Sequence, residues 1–231
     1  MIHLTQALTK TVTIFFHLSL QLLRSHFRED ISLLKQCWAQ KFLKYLNIEL
    51  QVVGNPHFTG PLILLGNHIS YTDIPLLMAC HSKISFLSKS EIKKWPLIGR
   101  AAKKMNTVFV ERHSTQSRFE AKLQIAQSLQ KNNALLAAFP SGTTSLKETT
   151  PWRHGLFQIA VENKIPVQFF KIHYTNARSI AYIDDDTFLS HLFNLTKIKK
   201  IIATIEFHEP VLIKNPIQCS QKWQKWTQTL S

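Results

Sequence analysis

Leu62-Ile63-Leu64-Leu65-Gly66-Asn67-His68-Ile69-Ser70-Tyr71-Thr72-Asp73-Ile74-Pro75 is the stretch that decides the architecture. A short apolar run reads as a β-strand, and Gly66 and Asn67 interrupt it. Pro75 then argues for a helix beginning close to Asp73, because proline is tolerated in a first turn and disfavoured further in. The segment is therefore strand, loop, helix. On one continuous helix His68 and Asp73 would sit about 140° apart, at ~100° per residue. They can meet only with His68 in the loop and Asp73 at the helix start. The spacing fits two readings: a base with its orienting carboxylate, or a plain helix cap at Asp73 beside an exposed loop histidine.

The pattern repeats outward from this segment. Further β-prone runs occupy 48–53, 84–87, 107–110, 134–139, 167–172 and 201–207. Helical candidates lie at 74–80, 93–104, 117–131, 154–163 and 186–195, the third opening on the capping-box pattern Ser117-x-x-Glu120. Strands alternating with helices predict an α/β fold with a largely parallel central sheet flanked by helices. Such sheets gather their sites in loops just beyond strand C-termini. Three more of those loops carry notable residues. Asn106 to Arg112 delivers an arginine from a strand, and a guanidinium can fork onto phosphate. Phe139-Pro140-Ser141-Gly142-Thr143-Thr144-Ser145 combines glycine with small hydroxyl residues, a composition that lets backbone N–H groups approach a ligand. Lys164-Ile165-Pro166-Val167 leads into the next strand. Taken singly, each also reads as an ordinary turn or strand end.

Charge narrows the partners. Lys and Arg number 28 against 14 Asp and Glu, a formal net charge of +14. From Lys83 to Lys122 ten basic residues face three acidic ones. That surface suits anionic lipid, nucleic acid or an acidic carrier protein. No zinc-finger or aromatic RNA-binding motif accompanies it, so nucleic acid is not expected. Cys37, Cys80 and Cys219 are odd in number and widely spaced, which predicts neither a disulfide framework nor a zinc site.

Residues 1–23 hold one formal charge, Lys10. Thr11, Thr13, His17, Ser19 and Gln21 interrupt their apolar positions, whereas a span needs roughly 20 predominantly apolar residues. Leu4, Leu8, Val12, Phe15, Phe16, Leu22 and Leu23 recur at steps of three and four, with gaps. An amphipathic helix in the membrane interface is expected, a helix packed on the protein's own core and a membrane span being the alternatives. No cleavage signature follows, so a signal peptide is not expected. Two regions are predicted: an N-terminal helical membrane-associating segment, 1–45, and an α/β domain, 46–231.

Read together, the four loops resemble the 1-acyl-sn-glycerol-3-phosphate (lysophosphatidic acid) acyltransferases and their lysophospholipid and lyso-ornithine-lipid relatives. The family's Asn-His-x4-Asp block is matched by Asn67, His68 and Asp73, and its strand ending in Arg by Phe109-Val110-Glu111-Arg112. Its Phe-Pro-Glu-Gly-Thr-Arg block is matched in part by Phe139 to Thr144, and its apolar-Pro-apolar block by Ile165-Pro166-Val167. The similarity runs from about Phe42 to Val211. Two positions depart: Ser141 stands where the family has Glu, and Thr144 where many members have Arg. Thr at the second position is similar to a bacterial subgroup that includes lyso-ornithine-lipid enzymes.

The resemblance implies an acyltransferase moving a fatty acyl group from acyl-CoA or acyl carrier protein to a lysolipid hydroxyl. The first acceptor it suggests is 1-acyl-sn-glycerol-3-phosphate, with lyso-ornithine lipid or another lysophospholipid as the alternative, and a non-catalytic basic membrane-binding protein is the competing class. It implies His68 as general base and Asp73 as its orienting partner, with substrate contacts from Asn67, Lys89, Arg112, Ser141, Gly142 and Thr143. No cofactor or metal is expected. An anionic membrane surface is the expected partner, at the cytoplasmic face of the cell membrane.

Overall fold

The computed structural model describes residues 2–111, 115–132 and 134–229. Seven strands are found among them: β1 (Ile48–Gly54), β2 (Leu62–Gly66), β3 (Ile84–Lys89), β4 (Val108–Val110), β5 (Leu135–Ala138), β6 (Val167–Tyr174) and β7 (Ile201–Phe207). They form one sheet in the order β1-β7-β6-β2-β5-β3-β4. Every neighbouring pair is parallel except β6 and β7, so the largely parallel sheet expected from the alternation is what the chain forms. Strand β2 lies at the centre with all five residues buried, which is why its sequence is apolar without alternation.

The period-2 rule sorts each strand's side chains between the two faces. Leu62, Leu64, Phe86, Ala137, Ile172 and Ile205 point to one core. Ile63, Leu65, Leu136, Ala138 and Phe169 point to the other. The first face is covered by α1 (Ile2–Ser25), α2 (Ser32–Tyr45), α3 (Asp73–Cys80) and α8 (Phe188–Leu195). The second is covered by α5 (Thr115–Asn132), α6 (Gly155–Glu162) and α9 (Pro216–Thr227). Helices α4 (Ile98–Lys104) and α7 (Ala177–Ile180) are short connectors.

Residues 2–25 form one helix with two distinct faces. Ala7, Ile14 and Leu18 are buried, and Ile14 shares a core with Ala39 and Phe42 of α2 and with the sheet. Leu4, Leu8, Val12, Phe16 and Leu23 are each about 60% exposed. At ~100° per residue these five fall within about 120° of arc, on the side away from the buried positions. Among the described residues no helix is long and apolar enough to cross a membrane.

Two expected helices differ in detail. The run 93–104 is split into a 3-10 turn, Ser90–Lys94, and α4, because Pro96 disfavours helical backbone at Trp95. Ser117 falls inside α5 rather than before it, and its hydroxyl accepts the Glu111 N–H at 3.1 Å.

Candidate functional site

Strand β2 ends on Gly66, where a Cβ would lie 2.4 Å from the ring and the carbonyl of Phe170. Only glycine lets β2 and β6 approach so closely there. Asn67 follows, buried, and its amide donates to the Ile172 carbonyl at 2.9 Å and accepts the Ile172 N–H at 2.7 Å. The side chain imitates a ladder residue and pins the start of the loop to β6.

The next three N–H groups all end on carboxylates. Glu148 Oε1 accepts that of His68 at 2.9 Å. Asp73 Oδ2 accepts those of Ile69 at 2.7 Å and Ser70 at 3.0 Å. The same Asp73 oxygen lies 2.7 Å from His68 Nδ1. The other oxygen accepts the Tyr174 hydroxyl at 2.6 Å, and Thr72 Oγ1 stands 2.8 Å from that hydroxyl. Burial, and then the adjacent Asp73, push the Tyr174 phenol well above its ordinary range, so it stays a donor. Asp73 is fully buried, and the His68 side chain is 16% exposed. A carboxylate only accepts, so in the neutral imidazole Nδ1 carries the proton and Nε2 the lone pair. The loop histidine and the first-turn aspartate do meet.

Phe139, following β5, lies flat against the His68 ring, with centroids 3.8 Å apart and planes 7° from parallel. The chain then turns at Gly142, φ +75°, whose N–H donates to the Phe139 carbonyl at 3.0 Å. The turn thus engages the Gly142 N–H, while Gly142 and exposed Thr143 border the cavity. Ser141 is buried, with its hydroxyl 3.1 Å from the Thr143 carbonyl and 3.4 Å from Glu148 Oε1. The Thr144 hydroxyl donates to the Tyr182 carbonyl. Lys89, exposed at the end of β3, borders the cavity as well. Arg112 lies outside the described residues.

His68 opens onto a cavity of about 590 Å³ beneath α1. Its walls are chiefly apolar, among them Phe15, Leu18, Trp38, Met78, Ala102 and Leu192. Strand β3 gauges its reach. Lys89 is the last residue of β3, whereas Lys35, another lining residue, donates from Nζ to the carbonyl of Ile84, the first, at 2.7 Å. Five rises of ~3.3 Å separate those ends by about 16 Å. The lining also includes the polar residues Gln21 and Ser25, and Gln21 Oε1 has no hydrogen-bond partner. Burial brings the Lys35 ammonium down to about 8.

Sequence reasoning overlooked Glu148 and Tyr174. They act across 80 and 101 residues, on His68 and Asp73 respectively, and no local pattern marks either.

The sequence profile of the family described as Acyltransferase matches residues 47–170. The chain is 35% identical over 183 residues to a lyso-ornithine lipid O-acyltransferase of Pseudomonas aeruginosa, covering 77% of this chain and 69% of that protein. A lyso-ornithine lipid O-acyltransferase of Brucella abortus is 29% identical over 188 residues, covering 74% and 70%. A 1-acyl-sn-glycerol-3-phosphate acyltransferase of Neisseria meningitidis is 30% identical over 173 residues, covering 71% and 66%. Among solved structures, the crystal structure of the 1-acyl-sn-glycerophosphate (LPA) acyltransferase PlsC from Thermotoga maritima superposes with a TM-score of 0.68. At 19% identity, that similarity covers 98% of this chain and 95% of the other and establishes the fold.

Proposed function

Since this chain belongs to the acyltransferase family, we propose that it moves a fatty acyl group from acyl-CoA or acyl carrier protein onto the hydroxyl of a lysolipid, with His68 as general base. The observation that carries this reading is the His68–Asp73 pair at the head of an apolar cavity. The acceptor hydroxyl gives its proton to Nε2, and its oxygen attacks the thioester carbonyl carbon. The tetrahedral adduct collapses, the C–S bond breaks, and the proton on Nε2 leaves with the carrier thiol. Asp73 holds the Nδ1 proton in place and offsets the imidazolium charge. A positioned base of this kind contributes ~10²–10⁴-fold. The cavity holds an acyl chain along β3.

The headgroup end separates two acceptors. Thr144 brings no guanidinium, and its hydroxyl is engaged by Tyr182, so it cannot fork onto a phosphate monoester. This favours a lyso-ornithine lipid over lysophosphatidic acid, and Lys89 supports an anionic group on either. Competition between the two at a fixed acyl donor, scored by product mass, tests it. The lyso-ornithine product should predominate, and Thr144→Arg should raise the phosphatidate share ~10-fold, one hydrogen bond to a charged group being worth ~1.5–3 kcal/mol. Preference for lysophosphatidic acid in the wild type, unchanged by Thr144→Arg, would remove this acceptor assignment.

The exposed stripe of α1 supports a second part of the reading. Leu4, Leu8, Val12, Phe16 and Leu23 insert into the membrane interface at the cytoplasmic face, and the basic stretch around Lys93 and Lys94 adds attraction to anionic lipid. Leu8→Asp with Phe16→Asp should move most of the protein off anionic vesicles in flotation. High salt should weaken binding of the wild type without abolishing it. Full flotation of the double variant would exclude α1 as the anchor.

A further inference from the structure

Glu148 takes no part in the proton transfer just described, yet it is only 4% exposed and aimed at the His68 loop. One carboxylate oxygen accepts the His68 N–H at 2.9 Å and lies 3.4 Å from Ser141 Oγ. The other accepts the indole N–H of Trp152 at 2.9 Å. Its main-chain carbonyl is gripped by two amides of the C-terminal helix region, Gln224 and Gln228, each at 2.6 Å. A glutamate in a surface loop ordinarily points to water. Removing it from water is tolerated only when donors fill its lone pairs, and here three donors surround it. Burial still holds its carboxyl above the usual carboxylate range, with the donors offsetting part of the rise.

Ser141 supplies the second observation. The resembling block carries Glu at that position, and this chain carries serine. The serine hydroxyl points at a carboxylate delivered from seven residues downstream. The acid missing at 141 and the acid present at 148 converge on one spot beside the His68 main chain.

We propose that Glu148 is a positioning residue that fixes the His68 main chain, and through it the imidazole, in place of the carboxylate that position 141 lacks. The proposal rests on His68 being the general base. Four contacts define the pose of His68. Its N–H goes to Glu148 and its carbonyl accepts the Ser145 N–H at 2.8 Å, while its ring is set by Asp73 and Phe139. Without Glu148 the part-buried His68 N–H loses its acceptor and the loop re-seats. Displacing a reacting group by about 1 Å lowers a rate ~10²-fold.

The decisive experiment moves the carboxylate. Wild type, Glu148→Ser, Glu148→Gln and the exchange variant Ser141→Glu/Glu148→Ser are compared as full-length protein. Steady-state acyl transfer, melting temperature and the pH titration of the His68 ring by ¹⁵N NMR are measured, His68→Ala serving for assignment. Glu148→Ser should lower kcat ~10–10²-fold with KM changed less than about threefold, and should displace the His68 titration. The exchange variant should regain most of both. Glu148→Gln keeps the size and one acceptor but turns an amide N–H toward a donor, so it should fall between and serves where Glu148→Ser does not fold. Wild-type kcat and wild-type His68 titration in Glu148→Ser and Glu148→Gln would overturn the proposal. So would a folded exchange variant that regains neither. Should the wild type itself transfer no acyl group to any lysolipid, the reading of the activity falls, and the ring titrations still decide whether Glu148 positions His68.

Discussion

The two faces of the sheet are built from the same strands and packed in opposite ways. Beneath α5, α6 and α9 the space is filled. Trp223 stacks on Phe169 at 4.2 Å, Phe157 on Phe169 at 6.1 Å, and Trp152 closes over Phe157. Beneath α1, α2 and α3 a cavity of about 590 Å³ interrupts the core, and polar groups face into it. Filling a core raises stability, and leaving a large void lowers it, at a cost that grows with cavity volume. A fold that keeps one face solid and the other hollow separates the work. The solid face holds the sheet together, and the hollow face accommodates a ligand.

That division predicts a double dissociation, the largest effect expected. His68→Ala should lower acyl transfer ~10²–10⁴-fold and leave the melting temperature close to that of the wild type, since its ring borders the cavity and belongs to neither core. Trp223→Ala should do the reverse. Removing a ring stacked on Phe169 costs ~3–5 kcal/mol of stability, while kcat per folded molecule, measured well below the melting transition, should stay within about threefold. Both halves are needed. If Trp223→Ala lowers kcat as sharply as it lowers stability, the faces are coupled, and the division of labour fails.

What the sequence disclosed follows the range of the interactions. The seven strands were legible because each is a short apolar run bounded by turn residues, and the expected runs overlap all of them. His68 and Asp73 were legible because they lie five positions apart and Pro75 marks the helix start. Glu148 was not, since its contact with His68 spans eighty residues and depends on how the loop after Gly142 folds back. Helix α9 was missed for a different reason. Its sequence is polar, with Trp223 its main buried anchor, and the apolar positions Cys219, Trp223 and Trp226 are too few to stand out. A signal was nevertheless present. Asn215 accepts the N–H groups of Ile217 and Gln218 and is followed by Pro216, an N-cap and first-turn pair readable from the chain alone. Cys80 shows the converse, a residue type that suggests reactivity. Burial pushes its thiol up to about 12, which leaves it inert packing against the hollow face.

The smallest expected effect lies at the polar end of the hollow face. Lys35 is 8% exposed and sits in the first turn of α2, where the helix dipole also disfavours a cation. Burial brings its folded-state pKa down to about 8, against about 10.4 for an unperturbed lysine. The sign follows from proton counts. Between those two values the unfolded chain binds the proton and the folded protein does not, so stability from this group rises with pH across that window. Below about 8 both states are protonated and the burial penalty is fully present. Lys35→Met keeps the length of the side chain and removes the charge. Its stability relative to wild type should therefore be highest at pH 7 and decline by up to about 3 kcal/mol on approaching pH 10.4. The Ile84 carbonyl loses a donor in the variant at every pH, so the change between pH values reads the protonation of Lys35. Urea midpoints of the two proteins at pH 7 and pH 10 measure the change, and a constant gap would mean Lys35 is not a buried cation. The same variant tests what ends the cavity. Methionine conserves volume, so a shift toward longer acyl chains would arise from polarity, because hydrocarbon does not seat against an ammonium group that lacks water. An unaltered chain-length profile would show that the space itself, and not the charge at its end, limits the chain.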